Sequence, residues 1–233
     1  MKLSARRITL AGVLGAITVV LGLLPVGGFI PVPTPAGSAT TMHIPTILAG
    51  VLEGPLVGAI VGAIFGGFSF WKAQVSANPV ERLIFTNPLI AFVPRILIGV
   101  VSYYVFSLAR GKRGRLALGA VAFLLLGYVG YWLPSPNSAR PRLILAVLSG
   151  SFGAFIVYLI NRRSENPGPG LGAVAGSLVN TAGVLGLSVA FGYLPYQAAV
   201  AVAVMHGVPE ALVALVLSDL IYRSTGRFFH EPR

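Results

Sequence analysis

Eight long apolar runs constrain the fold of this chain more than any other feature of its sequence. They lie near residues 8–24, 43–53, 55–71, 88–109, 116–133, 143–161, 171–192 and 197–222. Most have roughly the 17 to 25 residues that a helix needs to cross about 30 Å of hydrocarbon. The second run is too short for this, because its helix would rise only about 16 Å. The runs lack the alternation of a membrane β-barrel, so the sequence predicts an all-α integral membrane protein with one transmembrane domain over residues 1–233.

The placement of charge supports this prediction. Only 10% of the 233 residues are charged and 55% are hydrophobic, whereas soluble domains carry about 25% charged residues. The formal net charge of +11 does not indicate nucleic-acid binding, because the basic residues flank the apolar runs. Twelve basic residues fall on one side of the predicted membrane and four on the other, which favours a prokaryotic plasma-membrane protein with both termini cytoplasmic. A cleaved signal peptide is the alternative for the first run, but no small-x-small cleavage site follows it.

Two connections between the runs have distinct compositions. The connection from Pro25 to Thr41 is long, uncharged and rich in Pro and Gly. It either folds over the membrane face as a lid or is a flexible connector. By contrast, Glu53-Gly54-Pro55 predicts a tight turn, because Gly ends one helix and Pro begins the next.

Small residues recur at helical spacing in two of the runs. Gly58, Gly62 and Gly66 form a GxxxGxxxG face, for which packing within the chain is the favoured interpretation. In the first run, two interleaved small-xxx-small pairs form a wider smooth face that either packs internally or receives a partner subunit. Its residues are Ala11, Gly12, Gly15 and Ala16.

Polar side chains inside the apolar runs are costly in lipid and mark candidate functional sites. Arg95 follows Pro94 and either snorkels outward or meets an anionic ligand. Asn180, in the middle of its run, bonds either a neighbouring helix or a ligand. His43 opens the short second run as an interface anchor or a ligand contact.

The last run is interrupted at Met205-His206-Gly207-Val208-Pro209-Glu210. Pro209 has no N–H to donate to the carbonyl of Met205, so a bare acceptor is expected inside the membrane. His206 and Glu210 are four residues apart on one helix face, which permits a mutual hydrogen bond or a joint contact with a solute. The alternative is a kink in which the pair neutralises itself.

Motifs of several other protein classes are absent from the sequence. Without a GxxxxGK[ST] phosphate loop, the chain is not expected to hydrolyse ATP by itself. It has no HExxH or GxSxG motif and no cysteine, and its three scattered histidines make a poor metal site. We therefore expect neither an enzyme nor a bound metal or cofactor.

Several sequence blocks together resemble one family. The blocks are Thr41–Gly50, Leu52–Gly62, Ile64–Ser69, Thr86–Gly99, Gly176–Thr181 and Gly207–Ala211. This combination is similar to the substrate-binding S components of energy-coupling factor (ECF) vitamin transporters, and closest to their pantothenate and cobalamin branches. The resemblance covers residues 5–110 and 168–225.

The resemblance implies a six-helix bundle that encloses one vitamin beneath its outer loops. It also implies that the small-residue face of the first helix docks on a transmembrane coupling subunit driven by two ATPase subunits. The predicted vitamin contacts are His43, Asn87, Arg95, Asn180, His206 and Glu210.

The sequence departs from the family pattern in two places. Two apolar runs intervene between the fourth and fifth expected spans, which predicts an inserted helical hairpin at 111–167. In addition, His206 stands where similar sequences lead us to expect Asn. The even number of added spans preserves the topology.

The sequence thus predicts ATP-coupled uptake of a B-type vitamin, with this chain as the binder. A carboxylate partner for Arg95 favours pantothenate slightly. The alternatives are a facilitator that works without an ATPase and an intramembrane enzyme that uses His206 and Glu210.

Overall fold

The computed structural model describes residues 4–24, 29–31, 38–132, 139–163 and 166–229. These residues form helices joined by short connections, with one small pair of strands. The helices are α1 (Ala5–Leu23), α2 (His43–Glu53), α3 (Pro55–Val75), α4 (Pro79–Phe85), α5 (Pro88–Ala109), α6 (Lys112–Trp132), α7 (Ala139–Arg163), α8 (Gly168–Ala190), α9 (Tyr196–Val202) and α10 (Val208–Phe229). The α-helical membrane fold predicted from the apolar runs is confirmed.

Five stretches of the described residues are long and apolar enough to cross a membrane. They are α1, α3, α5, α8 and the continuous segment Tyr196–Thr225, which joins α9 to α10. The short helix α2 has the bounds predicted for it and, at 11 residues, is too short to span. Gly54 takes a φ of 101° between α2 and α3, a conformation that favours glycine. Pro55 then occupies the first turn of α3, so the predicted tight turn is present.

The segment between Pro25 and Thr41 contains a short hairpin. Strand β1 (Phe29–Pro31) pairs antiparallel with β2 (Ser38–Thr40), and Phe29 lies opposite Thr40. Residues 25–28 and 32–37, which make up most of the predicted lid, lie outside the described residues. The hairpin was not predicted, because strands of three residues are too short to show an alternating pattern.

Close approach of glycines holds the first spans together. A Cβ placed on Gly58 would lie 2.8 Å from the Cα atoms of both Gly50 and Gly99. Helices α2, α3 and α5 therefore meet backbone to backbone at this level. Gly62 and Gly66 likewise face the backbone of α5. The GxxxGxxxG face packs within the chain as predicted.

The described chain divides into two compact units. The first contains residues 1–104 and 172–233, and the second contains residues 105–171. In the second unit α6 packs against α7 through small residues, since a Cβ on Gly150 would lie 2.7 Å from the carbonyl oxygen of Phe123. This unit brackets the hairpin predicted at 111–167. That the hairpin is an insertion into one transmembrane domain remains a prediction.

Candidate solute-binding site

A cavity of about 380 Å³ lies inside the first unit. Its walls come from the last turns of α3, from α4, from the first half of α5, from the second half of α8 and from the α9–α10 segment. Because α3 ends where α5 begins, these parts share one end of the bundle. The volume falls in the range of roughly 300 to 1,000 Å³ that is usual for small-molecule sites.

Arg95 is a buried cation in the wall of this cavity. Pro94 lies inside α5 and has no N–H for the carbonyl of Ile90. The Nη1 of Arg95 donates to that same carbonyl at 2.7 Å, which satisfies the acceptor exposed by the proline. The side chain therefore points inward and is 5% exposed, so the snorkelling alternative does not describe its position.

Aromatic rings hold the guanidinium of Arg95 in place. Its Cζ lies 4.5 Å from the ring centroid of Phe85 and 5.5 Å from that of Phe65, within the range of cation–π attraction. The Nε of Arg95 is buried and has no hydrogen-bond partner among the described residues. A buried charged donor without a partner is costly, and this makes Arg95 a candidate contact for an anionic group of a solute.

Asn180 contributes an unpartnered acceptor to the same cavity. It is 6% exposed and lies in the middle of α8. Within the described part of the chain its Oδ1 accepts no hydrogen bond. Asn180 therefore adds a buried amide to the cavity wall in addition to the cation of Arg95.

A π-helical turn, Ala203–Gly207, joins α9 to α10 directly before Pro209. Such turns are rare and often occur at functional sites. His206 is the fourth of the five residues of this turn, and Glu210 follows in the first turn of α10. Both are buried and line the cavity.

The carboxylate of Glu210 has two partners from other elements. Its Oε1 accepts a hydrogen bond from the backbone N–H of Thr40 at 2.7 Å. Its Oε2 lies 3.5 Å from the hydroxyl of Thr181, whose single proton also has the carbonyl oxygen of Ser177 as an acceptor at 3.3 Å. Glu210 thus connects β2 and α8 to the start of α10.

The other two predicted contacts lie elsewhere in the first unit. His43 is fully buried in α2 outside the cavity lining, and its ring nitrogens have no hydrogen-bond partner among the described residues. Asn87 also lies outside the lining. Its Oδ1 accepts from the N–H of Leu89 and its Nδ2 donates to the hydroxyl of Tyr193, so it caps the start of α5. The fold therefore brings four of the six predicted residues to one cavity: Arg95, Asn180, His206 and Glu210.

Sequence reasoning missed the wall that α4 forms. The start of this helix has an N-cap side chain, Asn78, followed by Pro79 and Glu81 in the first turn. This pattern predicts a helix start. Lys72 and Glu81 both line the cavity and attract each other electrostatically. Lys72 was counted only as a loop charge in the topology argument.

The smooth face predicted on α1 is divided by the structure. Ala11 and Gly15 are buried within the chain, and a Cβ on Gly15 would lie 2.6 Å from Ile64 of α3. Gly12 and Ala16 are exposed, and nothing lies within 4 Å of a Cβ placed on Gly12. Of the four residues of this face, Gly12 and Ala16 are therefore the two that another subunit could contact.

The helices and cavity define a multi-span membrane protein with a solute-sized site at one end of its bundle. The family model of the ECF transporter, substrate-specific component, matches residues 6–140, which is more than half of the chain. The chain therefore belongs to this family, whose members are transport subunits and not enzymes. The matched range includes α1 to α6.

A curated relative narrows the comparison. The chain is 29% identical over 131 residues to the pantothenate transporter PanT of Leuconostoc mesenteroides subsp. mesenteroides. The similarity covers 50% of this chain and 62% of that relative, so the chain spans less than two thirds of the relative's length.

Proposed function

We propose that this chain binds pantothenate, or a B-type vitamin with a similarly placed carboxylate, and is the binding subunit of an ATP-driven importer. The observation that carries the proposal is the unpartnered Nε of Arg95 in a cavity of about 380 Å³. The similarity to a protein named as a pantothenate transporter supports the choice of vitamin.

The charges of the cavity favour an anionic solute. Two cations, Arg95 and Lys72, and two acids, Glu81 and Glu210, line it. Glu210 already accepts a hydrogen bond from the N–H of Thr40, and Glu81 accepts one from the hydroxyl of Ser76 at 2.6 Å. Arg95 is the charged group that retains a buried donor to offer. A solute carboxylate would supply its acceptor.

The rest of pantothenate suits the remaining wall. Its amide N–H and hydroxyls can donate to the Oδ1 of Asn180, and its dimethyl group can pack on the apolar side chains of α8 and α9. We propose His206 as a further solute contact at the π-helical turn. Specific polar groups on a mostly apolar surface are the usual composition of such a site.

Binding of two related solutes tests the role of Arg95. Pantothenate carries a carboxylate where panthenol carries a hydroxymethyl group. Hydrogen bonds to charged groups contribute about 1.5 to 3 kcal/mol, so the purified chain should bind pantothenate about 10 to 150 times more tightly than panthenol. The Arg95→Gln variant should bind both with affinities within about threefold. Isothermal titration calorimetry measures all four affinities.

The matched control is Arg82→Gln. Arg82 is an exposed arginine of α4 outside the cavity lining, so its substitution should leave the preference for pantothenate unchanged. A wild-type chain that binds both solutes equally would contradict the proposed role of Arg95. Mass spectrometry of the solute extracted from purified protein identifies the native ligand, and a chain that retains and binds no vitamin would exclude the function.

We further propose that Gly12 and Ala16 face a transmembrane coupling subunit served by two ATPases. A Gly12→Leu variant should bind pantothenate normally but lose ATP-dependent uptake in vesicles that contain the partner subunits. Gly119→Leu is the control, since nothing lies within 4 Å of a Cβ at Gly119 of α6. Uptake by the isolated chain without an ATPase would instead support the facilitator alternative.

The proposed orientation places both termini in the cytoplasm and the cavity toward the outside. Because the chain contains no cysteine, single cysteines at Ser4 and Asn78 report the two sides separately. An impermeant maleimide should label Asn78→Cys in intact cells, and Ser4→Cys only after permeabilisation. The reverse pattern would show that the orientation is wrong.

A further inference from the structure

Glu210 differs from the other charged groups of the cavity in what surrounds it. It is 7% exposed. Its Oε1 accepts from Thr40, 170 positions away in the sequence, and its Oε2 lies 3.5 Å from the hydroxyl of Thr181, 29 positions away. A carboxylate that already accepts from a protein donor has less capacity left for a solute. Its bonds instead join three separate elements around the cavity.

The bond to Thr40 is made at the open end of the hairpin, away from its turn. Thr40 is the last residue of β2 and lies opposite Phe29, the first residue of β1. Its N–H donates to Glu210 at 2.7 Å, and its hydroxyl accepts from the N–H of Met42 at 3.2 Å. Thr40 itself lines the cavity. The position of Glu210 therefore sets where the hairpin joins the cavity wall.

The reach of Glu210 depends on a close approach of α8 and α10. A Cβ on Gly207 would lie 3.0 Å from the Cγ2 of Thr181, so a larger residue there would move the two segments apart. Glu210 follows three residues later, beyond the π-helical turn and Pro209. The local geometry thus brings the carboxylate to Thr181 and Thr40 together.

We propose that Glu210 is a positioning residue, which holds the open end of the β1–β2 hairpin, at Thr40, against the cavity wall and does not contact the solute. A short hydrogen bond from a backbone N–H to a side-chain oxygen suits this task, because the backbone donor is fixed in the strand. The consequence for a bound solute is a slower release. This consequence rests on the proposed vitamin-binding function, but the positioning of the hairpin does not.

The first test needs no vitamin. A Thr41→Cys substitution, at the buried residue directly after β2, introduces the single thiol of the chain, since the sequence has no cysteine. In ligand-free protein, adding Glu210→Leu should raise the rate of maleimide labelling at position 41 at least about tenfold, as expected for losing about 1.4 kcal/mol of docking free energy. Glu210→Gln keeps a side-chain oxygen as acceptor, so labelling should stay within about threefold. Labelling of the Leu variant at the wild-type rate would overturn the proposal.

A second variant covers the case in which Glu210→Leu does not fold. Thr40→Pro removes the donated N–H and leaves the glutamate in place. It should raise labelling of Thr41→Cys in the same way. Arg82→Gln, at an exposed arginine outside the cavity lining, should leave the labelling rate unchanged. A Thr40→Pro variant with wild-type labelling would contradict the positioning role.

The second test uses pantothenate and panthenol as probes. If Glu210 only positions the hairpin, Glu210→Leu should increase the dissociation rates of both by the same factor. If Glu210 instead contacts the solute, the ratio of the two rates should change, and the proposal is then wrong. If neither probe binds the wild-type chain, the proposed vitamin fails, while the labelling result still decides the role of Glu210.

Discussion

The two units of this protein use apolar helices in different ways. The first unit buries charged and amide side chains around a cavity, with Arg95, Asn180 and Glu210 all below 8% exposure. The second unit consists mainly of α6 and α7, which pack through Gly127 and Gly150. Many of its large apolar side chains are exposed, as for Leu116, Leu124, Leu148 and Phe152, and we expect lipid to cover them.

Charged residues are also distributed unevenly between the two units. The second unit holds eight of the 17 basic residues and one of the six acidic residues, within 67 positions. In the first unit, ion pairs join Glu53 to Arg6 and Asp219 to Arg223. A solute site requires polar groups placed against one another from distant parts of the sequence. A pair of lipid-facing helices requires only apolar surface and cationic ends.

The largest effect should come from filling a glycine contact of the first unit. Gly58→Leu would force a side chain between the backbones at Gly50 and Gly99, where no flexible side chain can move aside. We expect a loss of at least about 3 kcal/mol, at the upper end of overpacking costs, and no stable protein in detergent. Gly119→Leu in α6 is the matched change in the second unit and should leave the melting temperature almost unchanged. Equal melting temperatures of the Gly58→Leu and Gly119→Leu variants would show that the two units do not differ in how tightly their glycines pack.

An intermediate effect is expected at Asn180, where binding should change and stability should not. Asn180→Ala should weaken pantothenate binding about tenfold, or about 1.4 kcal/mol. It should not lower the ligand-free melting temperature, because the Oδ1 has no partner to lose in the described structure.

The control for this prediction is Ser188→Ala in the same helix. The hydroxyl of Ser188 is fully buried and donates to the carbonyl of Val184 at 2.7 Å. Its removal should lower stability and leave the affinity unchanged. Calorimetry measures the affinities of both variants and thermal unfolding measures their stabilities, and Asn180→Ala should change only the first and Ser188→Ala only the second.

A smaller effect is expected for the ion pairs at the other end of the first unit. The side chain of Glu53 is 7% exposed, and its carboxylate oxygens lie 2.9 Å from Arg6 and 3.7 Å from Arg7. Both arginines are partly in water, so Glu53→Gln should cost only about 0.5 to 1 kcal/mol. The loss in melting temperature should shrink at high salt. A loss that does not depend on salt would indicate packing and not charge.

The smallest effect on binding should follow removal of the α6–α7 pair. A Cβ on Gly168 would lie 3.1 Å from the carbonyl oxygen of Phe106, so the end of α5 lies beside the start of α8. A flexible linker of about six residues can therefore replace residues 112–163. No residue of 105–171 lines the cavity among those described, so pantothenate affinity should stay within about twofold. A large loss of affinity would show that the second unit supports the site.

Much of the site could be anticipated from single residues, but its geometry could not. Arg95, Asn180, His206 and Glu210 were identifiable because a polar side chain in an apolar run is costly and therefore rarely accidental. The same reasoning also selected His43 and Asn87, which the structure places in the packed interior and at a helix start. The free-energy cost of a polar side chain in lipid does not show whether that side chain faces a cavity, packs in the interior or caps a helix.

The sequence by itself determined the membrane fold, the bounds of most helices and the tight turn at Gly54, because these depend on local apolarity and backbone conformation. Only the tertiary structure decided that α4 closes a cavity wall, that Arg95 caps the carbonyl left by Pro94, and that Glu210 binds Thr40. The last of these contacts joins residues 170 positions apart. No local pattern specifies such a pair, because it forms only when packed helices bring distant side chains together.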